Sequence, residues 1–421
     1  MAKPKLCLIP SSQGDKLYSV LPSSGVGDFD FSRSGGATRI NSQGLIETVA
    51  SGVSRLNYPM IDGKVVGCPS HLLEPQRTQK VQYSEDFTAW NKFRALITSN
   101  QAISPKGSLN SDFLFENDIL GTHLITLSGT ITSGVYTMSV FVKSKERTKI
   151  GLANDSTSDS DIAKFDLSNG TIISNGLHSA KIEEYENGWY RCSITSTTST
   201  PIRIMLLNAL GNSSYTGDGT SGIYIFGAQV EQGSYPTSYI PNYGTALGVT
   251  RSAETATNSG DASTFNDSEG VLMAEISALA DDGTDRVLGV SDGSANNRII
   301  LYYNSSNNLV AQVYSISNNL QSTITVTDLD ITNFSKASIK YDTNSIKLYL
   351  NGFLRESKSI ATAPINLSEL AFDNGIGGAD FYGKTKEIAY YDEILTDAEL
   401  EYMTSYRSLN EMVTELNLNA L

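Results

Sequence analysis

Single apolar side chains alternate with polar ones along most of this chain, and that period of two marks half-buried strands. In the run 134–144, Tyr136, Met138, Val140 and Val142 fall on one face. Strands are likewise predicted over 189–195, 202–207 and 223–230, and in the second half over 271–276, 298–303, 309–315, 337–341, 345–350 and 386–391. Ser168-Asn169-Gly170-Thr171 between Phe165 and Ile172 predicts a hairpin. Asn187-Gly188 and Asn351-Gly352 predict tight type I′ turns, whose central residues need positive φ. The expected fold is all-β: two jelly-roll or β-sandwich domains, over 81–241 and 269–406.

Helical signal is confined to the C-terminus. Thr396 with Glu399 three residues on is a capping box that starts a short helix. Beyond it, the tail 407–421 places Leu409, Met412, Val413 and Leu416 at i, i+3, i+4 and i+7 on one stripe. Such a stripe docks either on a partner subunit or back on its own sandwich.

Three stretches lack periodicity. Residues 1–30 are broken by Pro4, Pro10, Pro22, Gly14, Gly25 and Gly27, which suits an arm that anchors on a partner or packs on its own domain. Residues 31–80 carry isolated apolar positions (Leu45, Ile46, Val49, Leu56, Leu72) and are expected to lie extended against something else. Residues 242–268 read as a linker rich in Thr, Ala, Ser, Asn and Gly.

Within these stretches stand Ser32-Arg33-Ser34, Ala37-Thr38-Arg39-Ile40-Asn41, Gly44-Leu45-Ile46-Glu47, Arg55-Leu56-Asn57-Tyr58-Pro59, Leu72-Leu73-Glu74-Pro75-Gln76-Arg77-Thr78 and Tyr83-Ser84-Glu85-Asp86-Phe87. This run resembles one that opens many virion proteins of tailed phages. The order of YTMSVFVKS, ENGWYRCSIT and the exit Tyr235-Pro236-Thr237-Ser238-Tyr239-Ile240-Pro241, followed by Thr250-Arg251-Ser252-Ala253-Glu254, resembles the carbohydrate-binding-module-like jelly roll of those proteins. KASIKYDTNSIKLYLNGFL and the run from Gly383 to Ser405 resemble the end of a concanavalin-A-like, laminin-G-like sandwich. The resemblance implies a fibre, spike or decoration subunit assembled in the host cytoplasm into a virion. It implies other virion proteins as partners, a homotrimer by analogy, and host surface glycan as a ligand.

Composition narrows the alternatives. The net charge of −14 opposes nucleic-acid binding and adhesion to anionic membrane. No stretch is apolar enough for membrane insertion or a secretory signal; release by lysis would need no signal. Three widely spaced cysteines, Cys7, Cys68 and Cys192, make neither a disulfide framework nor a zinc ribbon.

Catalytic groups do not cluster. His71, His123 and His178 lie in different regions, and the paired-carboxylate pattern of glucanases only begins at Glu116-Asn117-Asp118. Glu183, Glu184 and Glu186 precede a turn and suit a solvated face. No enzymatic activity and no cofactor are therefore expected, apart from a structural calcium at Asp155, Asp159 and Asp161 or at Asp281, Asp282 and Asp285, where acidic side chains crowd one loop. Sugar binding needs aromatic faces beside polar groups. The candidates are Trp90, Trp189, Tyr215, Tyr302, Tyr303 and Tyr382, with core packing as the competing role for both tryptophans.

Overall fold

A computed structural model describes residues 3–10, 12, 13, 16–127, 134–197, 202–406, 408, 411 and 412. Among these the regular secondary structure is nearly all strand, with one α-helix, Asp397–Thr404. The first sandwich stacks a sheet of Ala95–Ile103, Leu109–Glu116, Gly222–Gln232, Tyr136–Ser144, Trp189–Ser196 and Ser179–Tyr185 on a second sheet centred on Leu120–Leu127, Ile202–Leu207 and Lys149–Asn154. Val140, Val142, Cys192, Ile194, Ile150, Leu152, Ile204 and Ile225 fill the space between them.

The second sandwich sets Phe353–Ser359, Ser345–Leu350, Ser335–Tyr341, Gly270–Ala278 and Gly383–Tyr391 against a sheet of Asn319–Val326, Leu309–Ser315, Arg298–Tyr303, Arg286–Ser291 and Glu369–Ala371. The hairpins form where the turn pairs stand: Asn187 has φ 61° and Asn351 φ 51°, each followed by a positive-φ glycine. The helix is held by the expected box. The Thr396 side chain accepts from the Glu399 backbone, and Glu399 accepts from the Thr396 N–H at 2.9 Å. Of the tail stripe, Leu409, Val413 and Leu416 lie outside the described residues; Met412 is half-buried.

The segments without periodicity are not loose. Leu6–Leu8 pairs antiparallel with Gly383–Tyr391, Leu6 opposite Tyr390 and Leu8 opposite Ile388, and both leucines are fully buried in the second core. The arm expected as an anchor is thus, over these residues, a strand of the chain's own sandwich. A three-residue strand between Pro4 and Pro10 is too short to show a period. Ser70–Leu72 extends the same edge, and Arg55–Asn57 pairs beyond it. The linker is also ordered: Val249–Arg251 pairs with Arg77–Gln79, and Thr255–Thr257 with Phe29–Ser32. Ile46 lies against Phe141, Trp189, Phe226 and Tyr239 on the outer face of the first sandwich.

Charge secures this wrapping. Arg33 Nη1 donates to Glu254 Oε1 at 2.6 Å, and Arg55 Nε to the same oxygen at 2.9 Å. Arg55 Nη1 lies 2.8 Å from Glu74 Oε2, as does Arg251 Nη1. Ser238 donates to Glu74 through both its N–H (2.8 Å) and its hydroxyl (2.6 Å). The side chains of Arg33, Arg55 and Glu254 are wholly buried. Burial alone would raise the Glu254 carboxyl, but Arg55 overrides it and holds it below the ordinary value. Next to the cluster sits His71, fully buried between Phe31 and Phe372, with neither ring nitrogen hydrogen-bonded to a described residue. Burial pushes its pKa down from 6.5 to about 4.

Removing one partner strands the rest, so Glu254→Gln should cost ~3–5 kcal/mol in urea unfolding. Between pH 6.5 and 4 the unfolded chain protonates His71 and the folded chain does not. That contribution is complete above 6.5 and lost on acidification, about 3 kcal/mol in all. His71→Leu should flatten this part of the stability–pH curve; an unchanged slope would contradict the burial argument.

Candidate functional site

The sheet Arg298–Tyr303, Leu309–Ser315 and Asn319–Val326 turns one face to the core and one outward. Leu301, Val313 and Ile324 point inward. By the strand period, Arg298, Ile300 and Tyr302 point outward, opposite Tyr314, Gln312 and Val310. Thr323, opposite Gln312, continues the row. Ile300 and Val310 are buried and form an apolar floor. Gly289 lies across from Ile300, and a Cβ there would meet the Ile300 side chain at 2.6 Å, so the flat floor depends on this glycine.

Around the floor stand polar and aromatic groups, Arg298 buried and Tyr302, Gln312, Tyr314 and Thr323 half-buried. The Arg298 guanidinium lies 4.3 Å from the Tyr314 ring centroid. Its Nη1 donates to the Asn374 carbonyl at 2.6 Å and its Nη2 to Asn318 at 3.0 Å, which ties two loops to the rim. Tyr314 donates to Gln312 Oε1 at 2.9 Å, and Gln312 donates to Thr323 at 3.2 Å. The Tyr302 hydroxyl has no hydrogen-bond partner among the described residues. Burial, then the neighbouring Tyr314, raise its pKa, so it is a neutral donor. Aromatic surface beside a chain of neutral donors and acceptors suits a sugar ring, which offers C–H faces and hydroxyls together.

The structure separates the other candidates from this face. Trp90 is 2% exposed, donates to the Tyr83 carbonyl and packs on Phe87. Trp189 is 1% exposed and donates to the Ile103 carbonyl. Tyr303 lies in the second core. None presents a ring face to a ligand. Tyr215 gives its hydroxyl to Glu116 at 2.6 Å, and its ring is flanked by Arg147 and His123. Glu116, where the glucanase-like pattern begins, is paired with Arg147 and accepts the Asp218 N–H. Tyr382 packs against the second core and donates to Asp380 at 2.7 Å.

The calcium candidates hold protein partners instead. Asp155 pairs with Arg203, Asp159 with Lys164, and Asp161 accepts from Ser156 and Ser160. Asp282 pairs with Arg286 at 2.7 Å, while Asp281 and Asp285 join no metal-binding group. Among the described residues, no three His, Cys, Asp or Glu side chains converge as metal ligands. Asp residues recur in these loops because each satisfies a nearby turn or cation.

Arg298, Gln312 and Tyr314 were not singled out from the sequence. The signal was present in the alternation Arg298-x-Ile300-x-Tyr302 and Gln312-x-Tyr314, but a polar outward face looks the same whether it meets water or a ligand.

Residues 255–401 match the family model of the concanavalin A-like lectin/glucanases superfamily. The matched residues cover the second sandwich. No curated protein matches the chain. Solved structures similar to parts of it include the CBM40 of an IT-sialidase from Ruminococcus gnavus bound to α2,3-sialyllactose. That match has 15% identity over 33% of this chain and 84% of that one, with a TM-score of 0.30. Domain 4 of AbnA, an extracellular GH43 arabinanase of Geobacillus stearothermophilus in complex with arabinotriose, matches at 13% identity over 36% and 73%, TM-score 0.31. Domains LG4-5 of the mouse laminin α1 chain match at 10% identity over 65% and 86%, TM-score 0.22.

With Asp159 and Asp282 already neutralised by Lys164 and Arg286, adding calcium or removing it with EDTA should leave the melting temperature unchanged. A calcium-dependent rise of several degrees in a thermal scan would refute this.

Proposed function

We propose that this chain is a non-catalytic glycan-binding protein that serves as a structural surface component of a tailed-phage particle. The observation that carries the binding half is the outward row of Tyr302, Tyr314, Gln312 and Thr323 over a flat apolar floor in the lectin-type sandwich. Neutral hydrogen-bonding groups beside aromatic surface recognise hydroxyl-rich ligands without needing a cofactor. The particle half is supported by the motif run between Ser32 and Phe87 and by its burial as one ion-paired wrapping layer. A subunit built this way presents two sandwiches in fixed relation. Its expected place is the virion, as a fibre, spike or decoration subunit, and its expected assembly is a trimer.

The test is a glycan array probed with the full chain and with Tyr302→Ala. Binding of at least one host-surface glycan is expected, weakened about tenfold by the substitution while the melting temperature holds, since a central aromatic contact is worth ~1.5 kcal/mol or more. Absence of binding across the array, or equal binding by the variant, would overturn the assignment of this face. Mass spectrometry of purified particles should find the chain at constant copy number; its presence in lysate alone would overturn the particle assignment.

A further inference from the structure

A cavity of about 150 Å³ lies at the seam where the two sandwiches and the wrapping segment meet. It is lined by the wrapping segment, by Phe141, Ser179–Tyr185 and Trp189–Ser196 of the first sandwich, by the exit segment from Tyr235 to Tyr239, and by the last strand of the second, Gly383–Tyr391.

Its charges do not balance. Glu74 on the wall is consumed by Arg55 and Arg251, and Arg39 pairs with Glu47 at 2.9 Å. The remainder are Lys181, Arg191 and Lys384 around a single carboxylate, Glu183. Lys181 takes that carboxylate at 2.8 Å. Arg191 is 4% exposed; it donates to Ser139 at 2.9 Å and lies 5.3 Å from the Phe141 ring centroid. Lys384 is half-buried, with no hydrogen bond or ion pair to any described residue. Burial lowers its pKa, with Glu183 opposing, so the ammonium is held at a cost that an added anion would relieve. Tyr185 and Tyr235 supply aromatic wall: Tyr185 meets Phe141 edge-on at 5.0 Å, and Tyr235 lies beneath Arg77 at 5.4 Å. The volume is below the ~300–1,000 Å³ of sites for larger ligands, so one ring fits and an oligosaccharide does not.

We propose that this seam pocket binds a single carboxylate-bearing sugar, its carboxylate against Lys384 and Arg191 and its ring against Tyr185 and Tyr235. The proposal rests on the glycan-binding reading and extends it to a second, cation-lined surface at the seam.

Calorimetric titration of the full chain with glucuronic acid, N-acetylneuraminic acid, glucose and sodium acetate tests it. At least one of the two acidic sugars should bind, and glucose should bind at least tenfold more weakly. Lys384→Met keeps the stem and removes the charge, and should weaken the acid at least tenfold. Glu183→Gln removes the competing carboxylate and should strengthen it, a gain that a merely unfolded variant cannot produce. Binding of neither acid, acetate binding as tight as the sugar's, or Glu183→Gln leaving affinity unchanged would each overturn the proposal. Tyr302→Ala should leave this titration unaltered, so failure at the seam is distinguishable from failure at the outward face.

Discussion

Five charged side chains, taken out of water together, set the geometry of this protein. Arg33, Arg55, Glu74, Arg251 and Glu254 come from four distant stretches of chain, and each is tolerable inside only while its partners stay in place. An apolar contact degrades gradually when surfaces slide. A buried arginine whose carboxylate has moved is left with a full desolvation penalty, so the arrangement is close to all-or-none. This explains how a segment poor in apolar residues can hold two sandwiches in register. Its few hydrophobic anchors, such as Ile46 and Leu73, settle into cores that already exist. Direction and alignment come from the guanidinium forks, which accept only narrow geometries.

Both recognition surfaces inherit that rigidity in different ways. The outward row on the second sandwich is a property of one sheet: its spacing is that of adjacent strands, and Arg298 braces it by holding two loops. The seam pocket is a property of the assembly, since no single domain contributes both Arg191 and Lys384. A protein carrying −14 overall that concentrates three cations around one carboxylate has departed locally from its own bulk character. Such departures are costly without a compensating ligand and point to function.

Much of the architecture was legible from period alone. Strands such as Tyr136–Ser144 and Arg298–Tyr303 read as strands from sequence, although nearly every residue in both is buried in the folded chain. The capping box at Thr396 needs only three residues of context. What stayed hidden depends on distance along the chain. Every charged member of the ion cluster, and Ser238 with them, stands inside a motif visible in the sequence, yet the Arg33–Glu254 contact spans 221 positions and no local pattern encodes it. The same limit applies to Trp90 and Trp189, whose indole N–H groups find backbone carbonyls that only the folded chain brings near. For the outward face the limit is different: alternation reveals which side chains leave the core but not which of them leave water.

The strand Leu6–Leu8 makes its antiparallel bonds to residues 388–390, near the opposite end of the chain. A ribosome delivers those partners long after the strand itself. The two leucines that close the second core therefore leave the ribosome well before their partners, while the first sandwich, whose strands all lie between residues 91 and 232, can already condense. Maturation of the second sandwich then ends with a single stitch that joins a late strand to one made far earlier, and a nascent chain interrupted before residue 388 leaves Leu6 and Leu8 without their partners.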